Sequence, residues 1–141
     1  EVIHLNKYCK NRQFKLYLAN NIKLAWKLNL DGAYIPAFNK SLKHRLYPIK
    51  RDFLIIGSSH NITEIRYKAK QGCEKIFLSP IFQVSKKNNY LGLFNFRNLV
   101  SKTKIEIIAL GGINEFNIKK LKISGCSGFA SISHIKKTAQ K

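Results

Sequence analysis

The sequence predicts an α/β protein built on an all-parallel sheet whose helices cover it from outside. Three observations carry that prediction. Short apolar runs alternate along the chain with segments of helical spacing. The runs are almost continuously apolar rather than alternating, as strands buried on both faces are. Small or polar residues recur where the runs end: Gly57-Ser58-Ser59-His60, Ser79-Pro80, Gly111-Gly112 and residues 131–133. In a (β/α) barrel all of these lie on one rim, the end that carries the active site. An open doubly wound sheet is the alternative, and no Gly-x-Gly-x-x-Gly or P-loop motif marks one.

The elements follow in order. Val2, Leu5, Tyr8 and Cys9 have helical spacing, so 2–10 is read as the end of a helix. Residues 14–19 read as a strand, and 21–29 as a helix turning Leu24, Ala25 and Leu28 inward. Gly32–Ile35 is a short strand stopped by Pro36. A short helix is expected over 41–47 and a buried strand over 53–57. Asn61 followed three residues later by Glu64 has the spacing of a helix start. That helix runs to about Gln71, and Gly72 suits its end. Lys75–Leu78 is the next strand, 83–92 a polar loop, 94–101 a helix and 105–110 the fifth strand. Asn114 caps a helix to Ile123, which Gly125 ends, and 128–131 is the sixth strand. A last helix begins near Ser133 and runs into the basic tail 136–141.

The chain has 141 residues, 45% hydrophobic and 23% charged, enough to bury a core, and 1–141 reads as one domain. No apolar run of about 18 residues appears, so no membrane span is expected. The start turns polar at once and does not read as a signal peptide. Cys9, Cys73 and Cys126 are widely spaced and form no CxxC pair, which fits free thiols in a reducing cytoplasm. Lys and Arg number 26 against 7 Asp and Glu, a formal charge of +19. A basic nucleic-acid-binding domain is one reading of that charge. However, the lysines are scattered over every predicted helix and loop. Lys, Asn and Ile are abundant together, as an A/T-biased coding sequence produces. A solvated basic surface that steers an acidic ligand is the preferred reading, with no specific nucleic-acid partner.

Gly111 and Gly112 carry the clearest chemistry. Without a Cβ their backbone N–H groups can approach an anion closely. The helix expected from Asn114 adds the positive end of its dipole there. The loops after the last two strands of a barrel commonly form a phosphate site. Together these point to a protein that holds a phosphorylated small molecule. Ser58 and Ser59 either bind an anion or satisfy backbone groups at the strand end. Asp31 reads as a structural turn residue, and Trp26 as a packing residue.

Five segments together resemble the thiamine phosphate synthase and thiazole tautomerase family of TIM barrels. They are Ile55-Ile56-Gly57-Ser58-Ser59-His60, Ser79-Pro80-Ile81-Phe82, Leu91-Gly92-Leu93, Ile108-Ala109-Leu110-Gly111-Gly112-Ile113 and residues 125–133. Each alone is a weak signal; in this order and spacing they mark the family, from about Lys15 to Ile135. The resemblance implies a (β/α)8 barrel lacking its first two strands, with about six βα units present. The family's second strand carries a Gln-x-Arg-x-Lys motif that grips the pyrimidine diphosphate. Residues 1–141 hold no such motif, so the expectation is an N-terminally incomplete domain.

The activity the resemblance implies is a transferase of thiamine biosynthesis. It couples hydroxymethylpyrimidine pyrophosphate with thiazole phosphate, giving thiamine phosphate and pyrophosphate. Family counterparts of Gly111, Gly112, Ile132 and Ser133 hold the thiazole phosphate. The loop after Phe82 normally bears two threonines and a lysine against substrate anions; Lys87 and Ser85 are the matching candidates. Lys86 and Lys87 read equally well as a solvated pair. His60, Ser58, Ser59 and Asn20 complete the substrate site, with His60 as an orienting or capping group. Family synthases hold Mg²⁺ with two aspartates. Here those positions fall on Asn20 and Asn39, and a neutral amide oxygen is a poorer Mg²⁺ ligand than a carboxylate. Tyr34 stands where the family has a His. Pro80 replaces the histidine of thiazole tautomerases, which counts against their proton shuttle. His134 has no family counterpart. These departures motivate the alternative of a noncatalytic or tautomerase-like relative that binds thiazole phosphate or thiamine phosphate. The sequence does not indicate an oligomeric state.

Overall fold

The computed structural model describes residues 1–84 and 89–131. Six strands form one sheet: β1 Tyr17–Ala19, β2 Gly32–Ile35, β3 Leu54–Ser59, β4 Lys75–Leu78, β5 Glu106–Leu110 and β6 Gly128–Ala130. Every neighbouring pair is parallel, and the strands stand in sequence order from β1 to β6. A doubly wound sheet reverses its strand order at a switch point. This sheet has no reversal, so it is the arc of a (β/α) barrel. Helices α1 Val2–Asn11, α2 Ile22–Lys27, α3 Ile62–Lys70 and α4 Gly92–Val100 accompany it. Two 3₁₀ segments, Lys43–Leu46 and Ile118–Ile123, occupy the crossovers after β2 and β5.

The side-chain period of two sorts the strand residues onto two faces. Ala33, Ile35, Ile55, Ile76, Leu78, Ile107 and Ala109 alternate along β2 to β5 and pack with Ile22, Ala25, Ile65, Phe96 and Leu121 from the outer elements. This layer between sheet and helices is the core. The residues between them point to the concave side, where Tyr34, Phe77 and Ile108 are half-buried. The Tyr34 and Phe77 rings lie 6.1 Å apart there.

Local signals account for most boundaries. The Asn21 side chain accepts from Leu24 N–H and starts α2; the Asn61 side chain accepts from Glu64 N–H and starts α3. The Glu64 carboxylate in turn accepts from the His60 N–H at 2.7 Å. At the end of α3, Cys73 N–H bonds back to Lys68 and Gly72 N–H to Ala69, the paired closure expected at a glycine stop. Asp31 is a turn residue, as expected: its carboxylate accepts from Leu16 N–H at 2.9 Å and from Lys15 at 3.1 Å. Partial burial pushes its carboxyl upward, but these donors outweigh that and hold it below the ordinary value. Trp26 stacks on Tyr47, with ring centroids 6.3 Å apart.

Four readings of the sequence are corrected. In α1 only Cys9 of the predicted stripe is buried; Leu5 and Tyr8 are exposed, because the face turned inward is that of Val2, Asn6 and Cys9. The first strand begins at Tyr17 and leaves Phe14 exposed, since residues 12–16 form the turn that Asp31 anchors. In α2 Ala25 is buried and Leu28 packs against the core as expected, but Leu24 is exposed and Ile22 takes its place inward. The predicted α-helix from Asn114 is replaced by a turn over 114–117 and a 3₁₀ segment from Ile118. There Asn114 Oδ1 accepts from the N–H of Phe116 and Asn117, and Asn117 Oδ1 accepts from Asn114 N–H. Such side-chain bonds compete with helical ones. The last predicted helix lies outside the described residues.

Phe96 has no exposed surface, so Phe96→Ala should cost about 3–5 kcal/mol in urea unfolding. Leu5→Ala, on the exposed side of α1, should change stability by less than about 0.5 kcal/mol. Comparable losses would contradict this placement of the core.

Candidate functional site at the C-terminal rim

Parallel strands put every strand end on the same side, so the turns after β1 to β6 converge on one rim. Backbone bonds tie the turns together. Ser79 N–H donates to Ser59 O at 3.1 Å, Ile81 N–H to Leu110 O at 3.0 Å and Phe82 N–H to Gly111 O at 3.1 Å. Ser131 Oγ donates to Ile113 O at 3.3 Å. The rim from β3 to β6 is therefore one connected surface.

His60 stands beside Ser79 on this surface. Its Nδ1 lies 2.7 Å from the Ser79 carbonyl oxygen. A carbonyl only accepts, so Nδ1 carries the hydrogen and the neutral ring keeps its lone pair on Nε2. A cleft of about 340 Å³ is lined by His60, Ser79, Pro80, Asn89, Tyr90 and Leu91. Ser58 and Ser59 are both buried, on opposite sides of β3. Ser58 shares the concave side with Phe77, whereas Ser59 lies toward the helices. Among the described residues Ser59 Oγ has no hydrogen-bond partner.

Gly111 and Gly112 both take positive φ, 96° and 68°. A Cβ on Gly111 would sit 2.7 Å from the Pro80 Cβ, and one on Gly112 would sit 2.5 Å from the Gln83 carbonyl oxygen. Close packing against the loop after β4 thus requires both glycines. Asn117 Nδ2 donates to Gly112 O at 2.8 Å and holds the turn from its other side. Among the described residues no acceptor takes the N–H of Gly111 or Gly112. No helix dipole points at them, because the segment that follows is the Asn114–Asn117 turn.

The loop after β2 is held from inside the protein. Lys68 of α3 has only 1% of its surface exposed. Its Nζ donates to Pro36 O at 2.7 Å, Asn39 O at 3.0 Å and Gln71 Oε1 at 2.8 Å. Gln71, fully buried, donates from its own amide to Asn39 O at 3.0 Å and Ser41 O at 2.9 Å. Buried His44 donates from Nε2 to the Gln71 carbonyl at 2.7 Å. Burial lowers the Lys68 ammonium from its ordinary value. It pushes the neighbouring Cys73 thiol up to about 11, which keeps that sulfur neutral and unreactive. Gly57 makes room for this lysine: a Cβ there would lie 2.7 Å from Lys68 Cδ.

Asn20 and Asn39, the positions expected to face a divalent ion, do come together. The Asn39 amide donates to Asn20 Oδ1, and Asn39 Oδ1 accepts from Ser41 N–H at 2.8 Å. Both carbonyl oxygens are thus engaged and both are neutral. Among the described residues no group of three His, Cys, Asp or Glu side chains is placed to hold a metal. This donor set does not fit Mg²⁺, which favours carboxylate oxygens.

Ser85, Lys86, Lys87, Ile132, Ser133 and His134 lie outside the described residues. Of the other predicted site residues, the structure groups His60 with Ser79 and Pro80, Gly111 and Gly112 with Pro80 and Gln83, and Asn20 with Asn39. The sequence reading missed Lys68, Gln71 and His44. A signal existed for the first: Lys68 falls three residues after Ile65, on the inward stripe of α3. Among the described residues no helix is long and apolar enough to cross a membrane.

The family model described as thiamine monophosphate synthase matches residues 1–135. A thiamine-phosphate synthase of Prochlorococcus marinus subsp. pastoris is 30% identical over 94% of this chain and 38% of its own length. A putative thiamine-phosphate synthase 2 of Aquifex aeolicus is 31% identical over 84% of this chain and 64% of its own. The solved thiamine phosphate pyrophosphorylase of Pyrococcus furiosus superposes with a TM-score of 0.73 at 19% identity, covering 92% of this chain and 62% of that one. The chain thus spans less than two thirds of the length of each of these relatives.

A side chain at Gly112 meets both a backbone oxygen and an unfavourable φ. Gly112→Ala should therefore lose about 1–3 kcal/mol in denaturant melts. An unchanged midpoint would show that the turn is not packed in this way.

Proposed function

The chain belongs to the thiamine monophosphate synthase family, and on that premise we propose that its rim binds the phosphorylated thiazole of thiamine phosphate synthesis. The observation that carries the proposal is the pair of Gly111 and Gly112 amides. They lack an acceptor among the described residues and belong to the rim that also bears the His60 cleft. Backbone N–H groups of this kind are ready partners for phosphate oxygens. In this reading Ile132 and Ser133, which follow β6 in the sequence, complete the phosphate contact.

The reaction proposed for the whole protein is a thiamine phosphate synthase-like transfer. The bond between the pyrimidine methylene carbon and pyrophosphate breaks, and pyrophosphate leaves with the electron pair. The thiazole nitrogen then donates its lone pair to the carbocation-like centre and forms the new C–N bond. Lys87 and Ser85 meet the anionic groups, while Ser58, His60 and Asn20 line the place where the rings are held; Ser59, expected beside them, faces the helices and takes no part. Holding both substrates in line and stabilising the departing anion is the protein's contribution. No step is assigned to a metal ion, since Asn20 and Asn39 offer none a suitable seat.

A second reading, a noncatalytic relative that binds thiazole phosphate or thiamine phosphate, is favoured by that same amide pair. Two measurements separate the readings. Titration calorimetry with thiazole phosphate should give saturable binding that inorganic phosphate does not reproduce. Binding that any polyanion matches, and that salt removes equally, would sink the rim assignment. A coupling assay with both substrates should then show turnover that Lys87→Ala lowers about tenfold or more, at least 1.4 kcal/mol of barrier. Binding without turnover would leave the noncatalytic reading standing and the transferase reading refuted.

A further inference from the structure

We propose that this site works without a divalent cation, because an amide pair and an internal ammonium already do the ordering that a bound ion would do. The inference is independent of which phosphorylated ligand the rim takes.

Asn20 follows β1 and Asn39 lies in the loop after β2, so any ion between them would fasten two rim turns together. In this chain the Asn39 amide bonds directly to the Asn20 carbonyl oxygen and makes that connection itself. The loop is also gripped from below. Lys68 donates to the carbonyl oxygens of Pro36 and Asn39, and Gln71 donates to those of Asn39 and Ser41. The Lys68 charge is thus spent on the same residue, Asn39, whose side chain would have to hold the ion. A dication seated on Asn39 would be repelled by that ammonium and, among the described residues, would find no carboxylate cluster to offset the repulsion. Lys68 does not stand alone as an accident of sequence. Gly57 on β3 leaves the space its stem fills, and Gln71 supplies a third oxygen. Glycine, lysine and glutamine form one internal cation site whose cation is part of the chain.

The test is the thermal melting of the protein across a Mg²⁺ titration, with a chelator as the zero point. No saturable shift is expected. Asn20→Asp combined with Asn39→Asp should introduce a saturable Mg²⁺-dependent rise in Tm, because two carboxylates then face each other. A saturable rise in the unsubstituted protein that Asn39→Ala removes would overturn the proposal. A folded double-aspartate variant that gains no Mg²⁺ response would also overturn it, by showing that the two positions do not form a cation seat. Mn²⁺ relaxation of the backbone amides gives the same reading without substitution, should the double variant not fold. Amides around Asn20 and Asn39 should broaden no more than those elsewhere; selective broadening there would contradict the proposal. These readouts use no thiazole ligand, so they succeed or fail separately from the ligand assignment.

Discussion

A single buried ammonium determines how the β2 side of the rim is arranged. Lys68 leaves α3, passes beside Gly57 and ends among three oxygens, two of them main-chain carbonyls of the loop after β2. A charge withdrawn from water is costly unless its hydrogen bonds are met, and here all three ammonium donors have acceptors. The arrangement works in both directions. The loop solvates the lysine, and the lysine fixes the loop. Gln71 and His44 extend the same lattice by one layer, so that residues 36–44 are attached to α3 rather than lying free over the sheet. Removing one member would strand the others without partners, which is the expensive outcome for buried polar groups.

The β5 side of the rim rests on a different constraint, which is steric. Gly111 and Gly112 allow the turn after β5 to lie against Pro80 and Gln83, and backbone bonds from Ile81 and Phe82 lock that contact. The two devices meet at β3 and β4, where the Ser79 N–H reaches Ser59 and His60 Nδ1 returns a bond to the Ser79 carbonyl. A polar clamp and a glycine contact thus hold adjacent turns of one sheet. The same rim bears the Gly111 and Gly112 amides, which have no acceptor among the described residues, and the His60 cleft, on which the functional reading rests. The same glycines therefore serve packing while their N–H groups meet no acceptor among the described residues, and the two roles do not compete.

How much of this was legible in the sequence depended on the range of the interaction. Strands β2 and β4 match their expected limits, because each is a short apolar run bounded by turn residues. The start and end of α3 were equally readable, since Asn61, Glu64 and Gly72 act within a turn of where they stand. Asn114 shows the limit of such signals. It caps a turn as well as it caps a helix, and the answering side chain of Asn117 decided between them. Leu5 and Tyr8 had the spacing of a buried stripe, but spacing does not say whether anything lies opposite. The meeting of Asn20 with Asn39 came from segment likeness, and the shared rim of Pro80 and Gly111 from the parallel order of the strands. Lys68 was overlooked despite its place on the inward stripe of α3. A lysine reads as surface unless the register that places Gly57 opposite it is known.

The most direct test of the account is an amide chemical-shift titration of the protein with thiamine phosphate, run beside inorganic phosphate at equal charge. The account predicts that thiamine phosphate moves the resonances of Ser58 to His60, Ser79 to Ile81 and Gly111 to Ile113 together, along one saturation curve that phosphate alone does not reproduce. Shifts scattered over surface lysines, or gathered at the opposite end of the sheet around Lys15 and Arg51, would contradict it.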